Sequence, residues 1–219
     1  MQNFSPLSIL VHDQARVYGN RTALRYRDYS VGIWKDISWN EFSSRVRELS
    51  NAMLSIGVEE QENMAVFSQN MPEVLMVDFA AYAIRAVTIP MYATSSEMQV
   101  KYSVSDASIR YIFVGEQEQN DIAFRVLKLG SSLEKLIIFD RNVQRNPEDN
   151  ISIYLDDFRK GHDNRYEEEI ERRTKAVQSQ DLANILYTSG TTGLSKGVML
   201  THEMYNSALS AHYGVLPLS

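Results

Sequence analysis

The feature that most constrains this chain is a rhythm that runs from residue 64 to residue 140, where short β-type runs alternate with longer helical ones. "MAVFS" (64–68) precedes "NMPEVLMVDFAAYAI", and "AVTIPMY" (86–92) precedes a helix expected to open with Thr94 and Glu97. "YIFVG" (111–115) precedes a segment over about 117–130, and "LIIFD" (136–140) closes the series. Asn70 and Glu73 read as a cap pair for the first of these helices. That helix is apolar on most of its circumference, so deep burial is expected. Strand and helix repeated in this way argue for an α/β fold, a parallel sheet with right-handed crossover helices on both faces.

The flanking segments fit around such a sheet. Residues 22–39 alternate apolar and polar about Tyr29, Ser30 and Gly32, which predicts two strands joined by a turn. Ser38 and Glu41 then form a capping-box pattern, Phe42, Val46, Leu49, Met53 and Ile56 recur at helical spacing, and Gly57 supplies a left-handed stop. The polar run "RNVQRNPEDN" (141–150) reads as a surface excursion. "RYEEEIERRTKA" pairs Glu168 with Arg172 and Glu169 with Arg173, the pattern of an exposed, solvated helix.

Composition removes several function classes. The formal net charge of −6 disfavours a surface that coats nucleic acid and offers no polybasic membrane patch, so any bound anion must be held locally. With no cysteine, there can be no disulfide, thiolate metal site or cysteine nucleophile. No basic start followed by an apolar run opens the chain, and no stretch approaches the roughly 20 apolar residues of a membrane span. A soluble, cytoplasmic protein is the expectation. His12, His162, His202 and His212 show no metal-binding spacing, and His202 reads as a capping or packing residue.

One stretch has a composition suited to a polyanion. "YTSGTTGLSKG" (187–197) concentrates hydroxyl side chains, glycines and one lysine. "NILYT" before it and "GVMLT" after it have β propensity, so the loop joins two strands. The following "HEMYNSALSAHYG" is helical, with Tyr205, Ala208, Leu209 and His212 on one face. A Walker A loop instead runs from strand to helix, and here Ser195 and Gly197 replace the glycine and hydroxyl residue that flank its lysine. A dinucleotide fingerprint is absent too. Glycines that let backbone amides approach an anion, hydroxyl donors and a mobile cation still suit phosphate. A flexible hairpin loop has a similar composition, and the residues alone leave both readings open.

The order of the residues adds a resemblance. "YTSGTTGLSKGVMLTH" resembles the phosphate-binding signature of the adenylate-forming superfamily, which includes acyl-CoA synthetases, luciferases and peptide-synthetase adenylation domains. Ser195 stands where that family usually has proline. "SWNEFSSRVRELSNAMLSIGV", "VFSQNMPEVLMVDFAAYAIRAVTIPMY" and "YATSSEMQVKYSVSDASIRYIFVGEQEQ" are similar to the N-terminal domain of long-chain fatty acid CoA ligases, so the likeness covers nearly the whole chain. Arg85 falls where relatives often carry glycine.

The resemblance implies the fold of an acyl-CoA synthetase N-terminal domain, and a partial one. Residues 1–219 would be part of the AMP-binding domain, without its C-terminal half and the small C-terminal domain. It implies carboxylate adenylation by ATP followed by transfer to coenzyme A, with fatty acid, ATP and CoA as substrates and Mg2+ as cofactor of the longer enzyme. The β- and γ-phosphates of ATP would be gripped by Thr188, Ser189, Thr191 and Thr192 as donors, by Gly190 and Gly193 as backbone positions, and by Lys196 as the charge. Tyr187 reads as packing. No catalytic residue is assigned. The adenine, ribose, magnesium and terminal-lysine motifs would lie beyond Ser219, so this chain alone is expected to be inactive as a ligase. It is expected to self-associate, or to leave parts of 182–219 poorly ordered, while 38–140 stays well folded. Peripheral membrane contact is left open. The alternatives are an adenylating enzyme for another carboxylic acid and a non-catalytic nucleotide-binding module.

Overall fold

The computed structural model describes residues 5–28, 31–160, 165–188 and 195–215, with side chains as far as residue 212. Helix α1 (Leu7–Tyr18) leads into a two-stranded antiparallel ribbon, β1 (Thr22–Asp28) and β2 (Ile33–Ser38). The expected turn residues Tyr29 and Ser30 lie outside the described residues. Helix α2 (Trp39–Ser55) starts where the sequence predicts, with the Ser38 hydroxyl accepting from the Glu41 amide at 3.2 Å. Only that half of the predicted box is recorded, because the Glu41 carboxylate turns to Arg45 one helical turn on.

The predicted rhythm follows. Strands β3 (Asn63–Phe67), β4 (Val87–Met91), β5 (Tyr111–Val114) and β6 (Lys135–Ile138) alternate with helices α3 (Pro72–Ala83), α4 (Glu97–Asp106) and α5 (Gln117–Lys128). Two caps differ from expectation. Met71 occupies the N-cap of α3, since Pro72, which has no amide hydrogen to satisfy, takes the first helical position. Glu73 is therefore not a cap: its Oε2 is buried without a hydrogen-bond partner among the described residues, and burial pushes its carboxyl above the usual range. At α4 the reciprocal box is made by Ser96 and Gln99 rather than Thr94 and Glu97.

Beyond the expected series come β7 (Ser152–Tyr154), α6 (Leu155–Lys160) and α7 (Glu167–Ala176), then β8 (Leu182–Thr188), β9 (Lys196–Thr201) and α8 (His202–Val215). Among the described residues seven strands form one sheet in the order β7-β6-β5-β3-β4-β8-β9, parallel except for the last pair. Side-chain alternation along each strand divides the core into two layers. Met64, Val66, Tyr111, Phe113 and Ile137 face a layer built with α1, α2, α3, α6 and α7. Their neighbours Ala65, Phe67, Ile112, Val114, Leu136 and Ile138 face a second layer built with α4 and α5. Because both faces are covered, the central strands are apolar at successive positions, and this explains their continuous β-type runs.

The expectation of a solvated helix for α7 needs correction. Arg173 does pair with Glu169 at 2.7 Å, but its side chain is only 13% exposed and donates to the carbonyls of Val58 and Ile84. Arg172 pairs with Glu169 and Glu60, not with Glu168. These bonds pin α7 to the turns that precede β3 and β4. In α8 the expected inner face also shifts: Ala208, Leu209 and His212 are exposed, while His202 is buried and Tyr205 half-buried.

Candidate phosphate-binding edge

The parallel direction of β3, β4, β5 and β8 brings their carboxyl ends to one edge of the sheet. Chain direction reverses there as well. From β3 the chain steps to β4 on one side, and from β5 it steps to β6 on the other, so the β3–β5 boundary is the switch point at which open α/β sheets bind ligands. The two strands emerge in close contact: the Gly115 amide donates to the Phe67 carbonyl at 3.0 Å, and a Cβ at position 115 would lie 2.4 Å from the Ser68 hydroxyl. Only glycine fits that approach.

The hairpin β8–β9 projects from the same edge. Its register runs without interruption from Asn184↔Leu200 to Thr188↔Lys196, so the first and last site residues predicted from sequence stand opposite each other at the mouth of the loop. Both are exposed, and among the described residues Lys196 makes no ion pair. A hydroxyl donor and a cation thus face open space side by side. Ser189, Gly190, Thr191, Thr192 and Gly193 lie outside the described residues. Tyr187 packs, as expected: its ring meets Tyr102 edge-on at 6.2 Å and its hydroxyl donates to the Asp106 carboxylate.

Two clefts adjoin Thr188. One of about 180 Å³ lies between Tyr92, Ser95, Gln99 and Ser195. The other, about 460 Å³, is lined by Ser68, Gln69, Asn70, Tyr92, Ala93 and Leu186, and the Gln69 Oε1 is buried with no partner among the described residues. A larger cavity of about 830 Å³ separates α1, α2 and α7, but no residue of β8 or β9 lines it and its Arg47 is paired with Glu167. The edge clefts, not that larger cavity, therefore share the surface with the candidate donors. Among the described residues no group of three His, Asp, Glu or Cys side chains could hold a metal ion.

Behind the hairpin is a buried polar cluster that sequence reading did not find. The Asn184 amide donates to the Thr88 hydroxyl at 2.6 Å, which in turn donates to the Asp78 carboxylate at 2.6 Å, and the Asn184 oxygen accepts from Tyr82 and Tyr205, both at 2.7 Å. Burial raises the Asp78 carboxyl to about 6, with the Thr88 hydrogen bond opposing the shift. His202, with a ring centroid 5.5 Å from that of Tyr82, has neither nitrogen partnered among the described residues, and burial lowers it to about 4, so it is a neutral core residue at pH 7. The available sequence signal was a lone polar residue, Asn184, in the apolar run "LANIL".

Comparison with known proteins places this geometry. The AMP-binding enzyme family matches residues 11–217. The chain is 31% identical over 178 residues to long-chain-fatty-acid–CoA ligase FadD15 of Mycobacterium bovis, covering 81% of this chain and 28% of that protein. It is 28% identical over 201 residues to fatty acyl-CoA synthetase A of Dictyostelium discoideum, covering 87% and 29%. The chain thus spans under a third of the length of these relatives. Among solved structures, the anthranilate CoA ligase AuaEII in complex with anthranoyl-AMP superposes with a TM-score of 0.80 at 17% identity, covering 99% of this chain and 38% of that one. A long-chain-fatty-acid-CoA ligase, FadD1, from Archaeoglobus fulgidus gives 0.74 at 18%, covering 99% and 40%. The fold is that of adenylate-forming ligases, and since the family match runs across nearly all of the sequence, the chain belongs to the AMP-binding enzyme family.

Proposed function

We propose that this chain is the ATP phosphate-binding part of an AMP-forming long-chain fatty acid CoA ligase. The observation that carries the reading is the open hairpin at the carboxyl edge of the sheet, with Thr188 and Lys196 opposed at the mouth of a glycine- and hydroxyl-rich loop. In the reaction, a fatty acid carboxylate oxygen attacks the α-phosphorus of ATP and pyrophosphate leaves, giving an acyl-adenylate. The thiol of coenzyme A then attacks the acyl carbonyl, loses its proton and displaces AMP. Negative charge accumulates on the departing pyrophosphate, and a preorganised cation with hydroxyl and amide donors stabilises it. The long-chain assignment is supported by the names of the mycobacterial and Dictyostelium relatives. A second reading, ligation of another carboxylic acid, is favoured by 25% identity over 208 residues to a crotonobetaine/carnitine–CoA ligase of Citrobacter koseri. Mg2+ enters the reading only through the family chemistry, since among the described residues no cluster of His, Asp, Glu or Cys side chains could hold it.

The test is binding of ATP and of inorganic pyrophosphate by isothermal titration, with Lys196→Ala beside the parent chain. The expected result is weak binding of both, reduced at least about tenfold by the substitution, since a charge-assisted contact is worth roughly 1.5–3 kcal/mol. Binding that Lys196→Ala leaves unchanged would sink the assignment. Ligase activity from this chain alone, with contaminating enzyme excluded by the same variant, would contradict the expectation that residues 1–219 do not suffice for the reaction.

A further inference from the structure

We propose that Asn184 is a positioning residue for the phosphate-binding hairpin, a buried amide that ties both arms of the loop to the sheet. This inference rests on the phosphate-binding reading of that loop.

Two side chains supplement the short β4–β8 ladder: Gln61, which bonds the amide and carbonyl of Leu182 at the start of β8, and Asn184 within it. Strand β3 pairs with β4 at every residue from Asn63↔Val87 to Phe67↔Met91, whereas β4 and β8 share one register pair, Thr88↔Asn184. The side chains of that same pair are bonded to each other, and both residues are buried, at 0% and 4% exposure. Asn184 then gathers the two helices that flank it. Tyr82 of α3 and Tyr205 of α8 both donate to its oxygen, and its nitrogen donates to Thr88, whose proton goes to Asp78. With Asp78 ionised its carboxylate can only accept, which takes the Thr88 proton, leaves the Thr88 oxygen to accept from the Asn184 nitrogen and so sets the orientation of the amide.

The neighbouring register shows what this controls. Pairing of β8 with β9 shifts between Leu182 and Asn184, an irregularity that ends at Asn184 itself, and the unbroken ladder to Thr188↔Lys196 begins there. A slip of two residues would preserve the side-chain faces while moving Thr188 by roughly 7 Å along the strand, away from the edge clefts. Strand β8 enters the loop, β9 leaves it and α8 follows directly, so Tyr205 ties the outgoing arm to the same amide that holds the incoming one. The cluster sits well back from the loop, and Asn184 and Thr88 act through Thr188 and Lys196.

Hydrogen exchange on the intact chain, compared with ATP and pyrophosphate binding, tests this. Thr88→Val removes the hydroxyl at nearly constant volume, and Thr88→Ser keeps it. The expected result for Thr88→Val is exchange about tenfold faster at the amides of 185–188 and 197–200 than the change at the β3 and β5 amides, with Thr88→Ser close to the parent. Uniform acceleration across all strands, or equal behaviour of Val and Ser, would overturn the proposal. If Thr88→Val does not fold, Tyr205→Phe removes one of the two donors to Asn184, and the same local pattern is expected at smaller amplitude; an unchanged hairpin would count against it. Parallel titration keeps the two readings apart. A parent chain that binds neither ATP nor pyrophosphate refutes the phosphate assignment, while the exchange pattern still decides whether Asn184 sets the hairpin.

Discussion

Replacing Arg85 with glycine sets two local effects against each other. Helix α3 ends in a Schellman turn, with Ala86 N–H donating to the Ala81 carbonyl at 2.9 Å and Arg85 N–H to the Tyr82 carbonyl at 3.2 Å. That turn requires a left-handed residue after the cap, and Arg85 holds it at φ +59°. For a residue with a Cβ this conformation costs about 1–2 kcal/mol, which glycine would relieve. Against this, the guanidinium forms a two-pronged pair with Asp181, at 2.9 and 3.1 Å, and also meets Glu60. The side chains of Arg85 and Asp181 are 17% and 11% exposed, so solvent screens them only partly. Losing the paired contacts should cost about 2–3 kcal/mol, moderated because Asp181 still accepts from the Gln178 amide. Arg85→Gly is therefore expected to destabilise by about 1 kcal/mol, and Arg85→Ala, which loses the pair and keeps the strain, by about 2–3 kcal/mol. Urea unfolding of both variants, alone and with Asp181→Asn, provides the assay. In the Asp181→Asn background Arg85→Gly should become neutral or stabilising. Alanine as stable as glycine would refute the strain argument, and additive double mutants would refute the ion-pair argument.

Two buried groups should give pH dependences of opposite sign over the same window. Asp78 has a folded pKa of about 6 against an ordinary 3.8, so its contribution is fully present below about pH 4 and is lost as pH rises through 6. His202 has a folded pKa of about 4 against 6.5, so its contribution is present above 6.5 and is lost as pH falls through 4. Urea melts between pH 4 and 7 should therefore show Asp78→Asn improving relative to the parent as pH rises, and His202→Phe improving as pH falls, each by up to about 3 kcal/mol. Shifts of the same sign in the two variants would contradict the assignment to burial. The outer strand β9 exposes Val198 and Met199, and α8 exposes Met204 and Leu209, at 45–61% of their surface. Light scattering is expected to show concentration-dependent self-association that Met199→Lys suppresses, because a lysine on an edge strand opposes pairing with a second copy; a monomer at all concentrations would remove that expectation.

The sequence by itself determined the order of elements through the central sheet. Burial on both faces leaves β3, β4, β5 and β6 apolar at successive positions, and helical periodicity between them requires crossovers, so the α/β class is a local property repeated along the chain. The helix start at Ser38 and the strand-to-strand character of the loop between Thr188 and Lys196 were legible for the same reason, since capping and turn signals act within a few residues, whereas the register that sets Thr188 opposite Lys196 was not. Helix α1, the edge strand β7 and the short α6 gave too little periodicity to register, and their place comes from packing against elements distant in sequence. Arg85 and Asn184 show the limit most clearly. Nothing near Arg85 in sequence announces Asp181, and nothing near Asn184 announces Tyr82, because these partners lie 96 and 102 residues away. Whether a polar residue in an apolar run is a surface position or the centre of a satisfied buried cluster depends on which donors the sheet and helices bring to it, and only the tertiary structure decides that.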